Sequence, residues 1–223
     1  ADPLAEAFTR ATQALAAGDY AAAEAGFQKV LQGAPRNIGA LGNLGVVYSR
    51  MGRVDKAIAM YQRALTLAPV DKGLLLNLSL AYFKQELYPD ARRLLTQLVK
   101  TDPAHLQARE LLATCELHLG QTESAMRSLE GLAQEDKANP GLLYLLGIGY
   151  LKQKKPVEAS RAFDAFLAAT PPALANFTLC KAHYESERFE DAADFCRKAL
   201  AADAATPGAR RELGKALISL RHP

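Results

Sequence analysis

Cysteine and histidine are the side chains of this sequence best suited to chemistry. Cys115 precedes His118 by three positions, and Cys180 precedes His183 by the same step. Side chains at this spacing lie on one face of a helix, so each pair could offer two ligands to a zinc ion. A zinc site in proteins takes three or four such ligands, and the two pairs are far apart in the chain. We therefore predict no metal site.

The sequence offers no set of residues for catalysis. A catalytic site needs a nucleophile, a base and an orienting group that converge in one pocket. No glycine-rich loop lies between a strand pattern and a helix pattern, so nothing would cradle a nucleotide. The three cysteines, Cys115, Cys180 and Cys196, fall inside helical patterns. Their odd number predicts free buried thiols rather than a disulfide framework, and we predict a protein that is not an enzyme and has no cofactor.

An internal repeat determines the elements that position these side chains. The repeat period equals the sequence distance from Ala23 to Ala57. Alanine, proline and leucine each recur at this interval: Ala23, Ala57, Ala91, Ala125, Ala159; Pro35, Pro69, Pro103; Leu44, Leu78, Leu112, Leu146. Self-similarity at a period of this length indicates a repeat array. Within one period, apolar, small and aromatic residues follow helical spacing on both sides of Gly52. This pattern predicts two amphipathic helices joined by a tight turn.

The second and fifth repeats carry a family resemblance. The second reads Leu41-x2-Leu44-Gly45-x2-Tyr48, then Ala57-x3-Tyr61, then Pro69, and the fifth, from Leu143 to Pro171, has the same form. These motifs resemble the tetratricopeptide repeat family, although Leu replaces the leading Trp. The resemblance covers nearly the whole chain. It implies an all-α, right-handed α-solenoid in which each helix pair buries its apolar side against the next.

We predict one array over residues 1–223, with six helix pairs and a capping helix. The repeats occupy residues 4–37, 38–71, 72–105, 106–139, 140–172 and 173–205, and the cap occupies 207–220. Pro89 and Pro156 should open second helices, because the first turn of a helix tolerates proline. Repeat four is the weakest, with Arg109 and Glu116 in place of large residues, and repeat six is shifted by one position.

The resemblance implies that the first helices line a concave surface that holds peptides. Their side without a core role is apolar, with positive charge at its edge, and exposed apolar patches of this kind usually mark interaction sites. The predicted peptide-binding residues are Asn43, Arg50, Leu76, Asn77, Leu80, Phe83, Lys84, Tyr144, Ile148, Leu151, Lys152, Phe177, Lys181 and Tyr184. We predict a protein or peptide ligand with apolar anchors and some acidic character. The alternative is that these side chains pack on one another or on the next helix.

Asn43 and Asn77 occupy equivalent positions in successive repeats. They are similar to the asparagine ladder of O-linked N-acetylglucosamine transferase, but the ladder ends after these two positions. The carboxylate clamp of chaperone cochaperones matches poorly, since Phe8 and Gly73 stand where it requires lysine. We therefore do not predict binding to chaperone tails.

Composition restricts the partners further. The 223 residues carry a formal net charge of +3 with both signs mixed, and the one basic run is Lys152–Lys155. No phosphate-binding stripe is present, so we predict no nucleic-acid partner. No apolar run reaches the roughly 18 residues that a membrane-spanning helix requires. The alanine- and arginine-rich composition without tryptophan is typical of bacterial proteins.

The expected function is a non-catalytic, monomeric scaffold for protein–protein interaction. Two alternatives stay open: a targeting or substrate-recruitment domain of a larger enzyme such as a glycosyltransferase, and a self-associating assembly factor. The start at Ala1 without methionine slightly favours an exported or periplasmic protein, with a cytoplasmic one as the alternative. An excised domain would begin in the same way.

Overall fold

The computed structural model describes residues 2–221, which form thirteen α-helices and no strand. Ala1, His222 and Pro223, where the predicted array begins and ends, lie outside the described residues. The chain divides into two compact units, Ala1–Gln121 and Thr122–Pro223. The predicted all-α fold of helix pairs is confirmed, whereas one continuous array over the whole chain stays a prediction.

The first unit contains seven helices. Their bounds are α1 Pro3–Ala16, α2 Tyr20–Gly33, α3 Ile38–Arg50, α4 Val54–Leu67, α5 Lys72–Lys84, α6 Tyr88–Thr101 and α7 Leu106–His118. Consecutive helices pack against each other, so each pair covers the apolar side of the pair before it.

The second unit contains the remaining six helices of the described chain. Their bounds are α8 Thr122–Glu135, α9 Pro140–Lys152, α10 Pro156–Ala169, α11 Pro172–Glu185, α12 Phe189–Ala202 and α13 Ala209–Arg221. The last of these is the predicted capping helix. Its Arg210, Arg211 and Lys215 are exposed, as expected of a cap, but Ile218 is also 64% exposed.

Side-chain caps fix where the first helices of repeats two to five begin. Asn37, Asp71, His105 and Asn139 follow one another at the repeat period, and each accepts a hydrogen bond from a backbone N–H in the first turn of its helix. Such bonds satisfy donors that have no partner within the helix. Because the capping residues recur at the repeat period, the first helices of these repeats begin at the same interval.

Prolines lie in the first turn of two second helices, as the sequence predicted. Pro156 is the first residue of α10, and Pro89 is the second residue of α6. Both positions lack an intrahelical partner for the N–H group, so proline removes no hydrogen bond there.

In repeats two and five, a glycine on the first helix faces an aromatic residue on the second. A methyl group on Gly45 would come within 2.5 Å of the Tyr61 ring, and one on Gly147 would overlap Phe163. Both rings are buried. The glycines therefore allow the two helices of a pair to approach closely around an aromatic side chain.

Hydrogen bonds of equal spacing link successive repeats. Gln28 Nε2 donates to the Tyr48 hydroxyl at 3.2 Å, and Gln62 Nε2 donates to the Tyr82 hydroxyl at 2.8 Å. In the second unit the Tyr150 hydroxyl lies 3.3 Å from Glu130 Oε1. The sequence separation is the same in all three pairs. These tyrosines therefore have the same role in repeats two, three and five: their rings fill space and their hydroxyls satisfy a polar neighbour.

The prediction of three free thiols was wrong for two of them. Cys180 and Cys196 form a disulfide between α11 and α12, with their Cα atoms 5.1 Å apart, whereas Cys115 is free and buried. The sequence step from Gly147 to Cys180 equals the step from Phe163 to Cys196, and it is one position shorter than the repeat period. The disulfide therefore occupies the position of the glycine–aromatic contact in the shifted sixth repeat.

None of the helices within residues 2–221 combines the length and apolar character needed to cross a membrane.

Candidate functional site

The predicted peptide-binding residues lie on four first helices, two in each unit. In the first unit they belong to α3 and α5, and in the second to α9 and α11. All their apolar side chains are half-buried, while Arg50, Lys84, Lys152 and Lys181 are exposed. Each unit therefore presents a partly covered apolar surface with cationic side chains at its edge.

Asn43 and Asn77 have side-chain amides available for a ligand. Both residues are half-buried on their helices, α3 and α5. Within the described chain neither amide forms a hydrogen bond with another residue, in contrast to Asn37 and Asn139, which cap helices. An amide that is accessible and without a protein partner can bond a peptide backbone as donor and acceptor.

Neighbouring first helices of the first unit approach each other through glycines. A methyl group on Gly39 would lie 3.2 Å from the ring of Phe8 on α1, and one on Gly42 would lie 3.2 Å from Leu74 on α5. On α3, part of the helix face predicted to bind peptides is thus covered by an adjacent first helix. At Gly39 and Gly42, therefore, the surface packs against its own chain, as the alternative interpretation of the sequence predicted.

Phe83 is also partly engaged by its own chain. Its ring packs edge-on against Tyr88 at 5.4 Å and against His118 at 6.0 Å, and those two rings stack at 4.3 Å. Phe83 therefore contributes to an aromatic cluster at the ends of α5 and α7 as well as to the surface.

The tyrosines of the second unit pack in the same way. The Tyr144 ring lies 5.6 Å from Phe166 and 6.5 Å from Phe163, and the Tyr184 ring lies 5.4 Å from Phe189. Burial raises the pKa of Tyr144 to about 12, so its hydroxyl stays protonated well into the alkaline range. These rings combine a core contact with a half-buried surface.

A cation lies directly over the apolar surface of repeat six. Lys181 Nζ is 5.0 Å from the centre of the Phe177 ring, a cation–π geometry. A methyl group on Gly208 would come within 3.3 Å of the same ring, so Phe177 borders the loop that leads into α13.

The sequence analysis missed a cleft in the second unit. An outer cavity of about 470 Å³ lies between the α9–α10 turn and the α11–α12 turn, and an inner cavity of about 280 Å³ adjoins it. Leu151, Pro156 and Arg188 line both cavities. The basic run at Lys152–Lys155 was noted in the sequence, but the repeat period also places the next turn, with Arg188, beside it.

His183 is a buried polar residue in the wall of the inner cavity. It is 4% exposed, and its Nδ1 has no hydrogen-bond partner and lies 3.8 Å from Asp191 Oδ2. Burial lowers the pKa of His183, with a further lowering by Arg188 and an opposing effect of Asp191. Its ring stacks on Phe195 at 5.0 Å. His183 is thus a neutral imidazole held between aromatic rings.

Neither cysteine–histidine pair belongs to a larger group of potential metal ligands within residues 2–221. Cys180 is committed to the disulfide, and burial raises the pKa of Cys115 to about 11. Residues 2–221 contain no group of three or more potential metal ligands. A thiol with so high a pKa is protonated at neutral pH and is a poor nucleophile.

Sequence comparison finds the tetratricopeptide repeat in most of the chain. Models of this repeat match residues 14–78, 50–115, 82–136 and 144–218. The bovine BBSome complex member BBS4 is 31% identical over 98 residues, which is 44% of this chain and 19% of that protein. The TPR repeat-containing thioredoxin TTL4 of Arabidopsis thaliana is 32% identical over 85 residues, 38% of this chain and 12% of that protein.

Solved structures share the fold at low sequence identity. A tetratricopeptide repeat protein from Parabacteroides merdae has a TM-score of 0.72 and 21% identity, covering 97% of this chain and 86% of that one. The MamA protein has a TM-score of 0.69 and 19% identity, covering 74% of this chain and 91% of its own. These similarities concern the fold alone.

Proposed function

The chain belongs to the tetratricopeptide repeat family, and on this premise we propose that it is a non-catalytic scaffold that binds a peptide or protein segment on the exposed side of its first helices. The proposal rests mainly on one observation: the first helices of both units carry half-buried apolar side chains and exposed cations. A surface that is apolar at its centre and charged at its rim is suited to protein recognition.

Asn43 and Asn77 support a peptide ligand in the first unit. Within residues 2–221 their amides form no hydrogen bond with another residue. Asn77 lies on α5 with Leu76, Leu80 and Lys84, and Asn43 lies on the preceding first helix, α3. Amides would bond the peptide backbone, leucines would hold apolar anchors, and the lysine would attract carboxylates. This division of roles favours a ligand with both apolar and acidic residues.

Capture from a lysate of the native host, followed by mapping of the bound peptides, tests the proposal. The groove variant Arg50→Glu with Lys84→Glu changes exposed side chains, so the fold should be preserved. We expect it to recover about tenfold less partner, since two favourable charge contacts become repulsive. The control Lys29→Glu with Lys100→Glu makes the same charge change on second helices.

Equal capture by the wild type, the groove variant and the control would contradict this assignment of the surface. A wild-type protein that captures no protein partner would contradict the scaffold function itself.

A second candidate is a targeting module of a larger protein. The chain spans only 19% of BBS4 and 12% of thioredoxin TTL4, and the name of TTL4 combines such repeats with a thioredoxin. Partner recruitment to an enzyme, such as a glycosyltransferase, would use the same surface. The full open reading frame distinguishes the two, because a catalytic domain on the same chain would favour the targeting module.

A further inference from the structure

The cleft of the second unit has a basic rim. Its outer cavity is lined by Lys152, Lys154, Lys155 and Arg188, against one carboxylate, Glu185. Arg188 forms an ion pair with Asp191 at 2.7 Å, whereas within residues 2–221 no carboxylate pairs with Lys152 or Lys154. Like charges held together at a rim repel one another, so an anionic ligand would bind there favourably.

The inner cavity of the cleft is mainly apolar. Leu151, Phe163, Leu167 and Phe195 line it, together with the neutral His183, the exposed Asp164 and the ion pair of Arg188 with Asp191. At about 280 Å³ it lies just below the range of about 300–1,000 Å³ found for drug-sized ligands. The cavity therefore suits one large side chain rather than a whole cofactor.

In the free protein, Nδ1 of His183 in the wall of the inner cavity lacks a hydrogen-bond partner. A buried polar atom without a hydrogen bond is unfavourable, and Asp191 is too far away at 3.8 Å to satisfy it. A side chain or backbone group that enters the inner cavity, with a small shift of the ring, would supply the missing bond.

We propose that this cleft binds an acidic segment of the partner protein, with carboxylates at the lysine rim and an adjacent large apolar side chain in the inner cavity. The inference rests on the proposed function, because Leu151 and Lys152 belong both to the cleft and to the peptide-binding surface of α9. A nucleic-acid backbone would use the basic rim but not the apolar interior, so the two cavities together favour the peptide.

Fluorescence polarisation with the whole chain tests the cleft. The probe is a fluorescein-labelled, C-terminally amidated Glu-Glu-Leu-Phe peptide. Two further peptides separate the contributions: Gln-Gln-Leu-Phe removes the charge and Glu-Glu-Ser-Ser removes the apolar anchors. An oligothymidylate of similar charge tests the nucleic-acid alternative. We expect each of the three to bind about tenfold more weakly than the probe.

Three variants connect binding to the structure. The rim variant Lys152→Glu with Lys155→Glu reverses two exposed charges, and Ser160→Trp fills the inner cavity from an exposed position on α10. Each should weaken probe binding about tenfold. The control Lys29→Glu with Lys100→Glu lies in the first unit and should leave the affinity within about twofold, since exposed charges act weakly at a distance in salt.

The proposal is overturned if the wild type does not bind the probe, if any of the three comparison ligands binds equally well, or if either cleft variant binds like the wild type. Partner capture that depends on Arg50 and Lys84, together with probe binding that ignores the cleft variants, would remove the cleft and leave the proposed function. Absence of any captured partner would remove the proposed function instead.

Discussion

Each helix pair of the described chain turns through one residue with positive φ. Glycine fills this position in repeats one, two and four, at Gly18, Gly52 and Gly120. In the other three repeats it is Glu86, Lys154 or Glu187, with φ of 58°, 59° and 58°. A side chain with a Cβ atom is strained in this left-handed conformation, so these three turns are less favourable than the glycine turns.

Glycine at Glu86, Lys154 or Glu187 should stabilise the fold. Each replacement relieves the strain but makes the unfolded chain more flexible, for a net gain of about 0.5–1 kcal/mol in the free energy of unfolding. Urea denaturation measures this. Gly52→Ala is the matched opposite, since its new methyl group would touch nothing within 4 Å, and it should lose about 1 kcal/mol. A destabilised Glu86→Gly would show that the strain is absent.

The contact of Gly45 with Tyr61 makes a second prediction at the residue scale. Gly45→Ala would place a methyl group 2.5 Å from the buried ring, and such overpacking costs about 1–3 kcal/mol. Gly131→Ala on α8 is the control, because its methyl group would meet nothing within 4 Å and alanine is the better helix former by about 0.5–1 kcal/mol. Thermal unfolding of the two variants should therefore shift in opposite directions.

At the scale of elements, the all-helical fold of repeated helix pairs could be predicted from the repeat period. The period works because each pair must bury its apolar side on the next pair, which fixes both the spacing and the order of small and large residues. The shifted register of repeat six was visible in the same way. Pro89 and Pro156 marked the starts of second helices because proline lacks the N–H group that a helix interior requires.

The disulfide was not predicted, although the sequence contained a signal for it. The sequence step from Cys180 to Cys196 equals the step from Gly45 to Tyr61, which face each other across their helix pair. Counting cysteines gave an odd number and hid the pairing. Only the comparison of equivalent positions between repeats brings the two sulfur atoms together.

Removal of the disulfide should destabilise the second unit. The double variant Cys180→Ser with Cys196→Ser frees a loop of about 16 residues in the unfolded chain, for an expected loss of about 3 kcal/mol. Urea unfolding followed by circular dichroism measures the loss. Reductant throughout the titration should lower the stability of the wild type by a similar amount and leave the variant unchanged. Equal stability of wild type and variant without reductant would argue against the bond.

At the scale of the whole molecule, the packing inside each of the two units is almost entirely between helices that are neighbours in the chain. The predicted surface shows the limit of sequence reasoning here. The pattern placed Tyr144 and Phe83 on the first helices, but only the structure shows that their rings also pack on Phe166 and Tyr88. Contacts of this kind depend on side-chain directions across helix pairs, which a one-dimensional pattern does not contain.

Because helices pack mainly on their neighbours in the chain, we expect a destabilising substitution to affect mainly the adjacent helices. Leu95 is fully buried on α6, and Leu95→Ala should cost about 2–5 kcal/mol. Amide hydrogen exchange followed by mass spectrometry should then show a greater loss of protection in α5–α7 than in α1 and α2, because each repeat transmits stability only to adjacent repeats. A uniform loss across all seven helices would mean that the first unit unfolds as one cooperative body.

The disulfide between Cys180 and Cys196 also makes the covalent state of the protein depend on the redox conditions of its compartment. Disulfides persist in secreted and periplasmic proteins and are rare in the cytosol, where glutathione and thioredoxin keep thiols reduced. Molecules kept in an oxidising compartment would therefore be lighter by two hydrogen atoms than those kept in a reducing one. Alkylation of unfolded protein from fractionated cells, followed by intact mass measurement, would record one labelled cysteine in the oxidised molecules and three in the reduced ones.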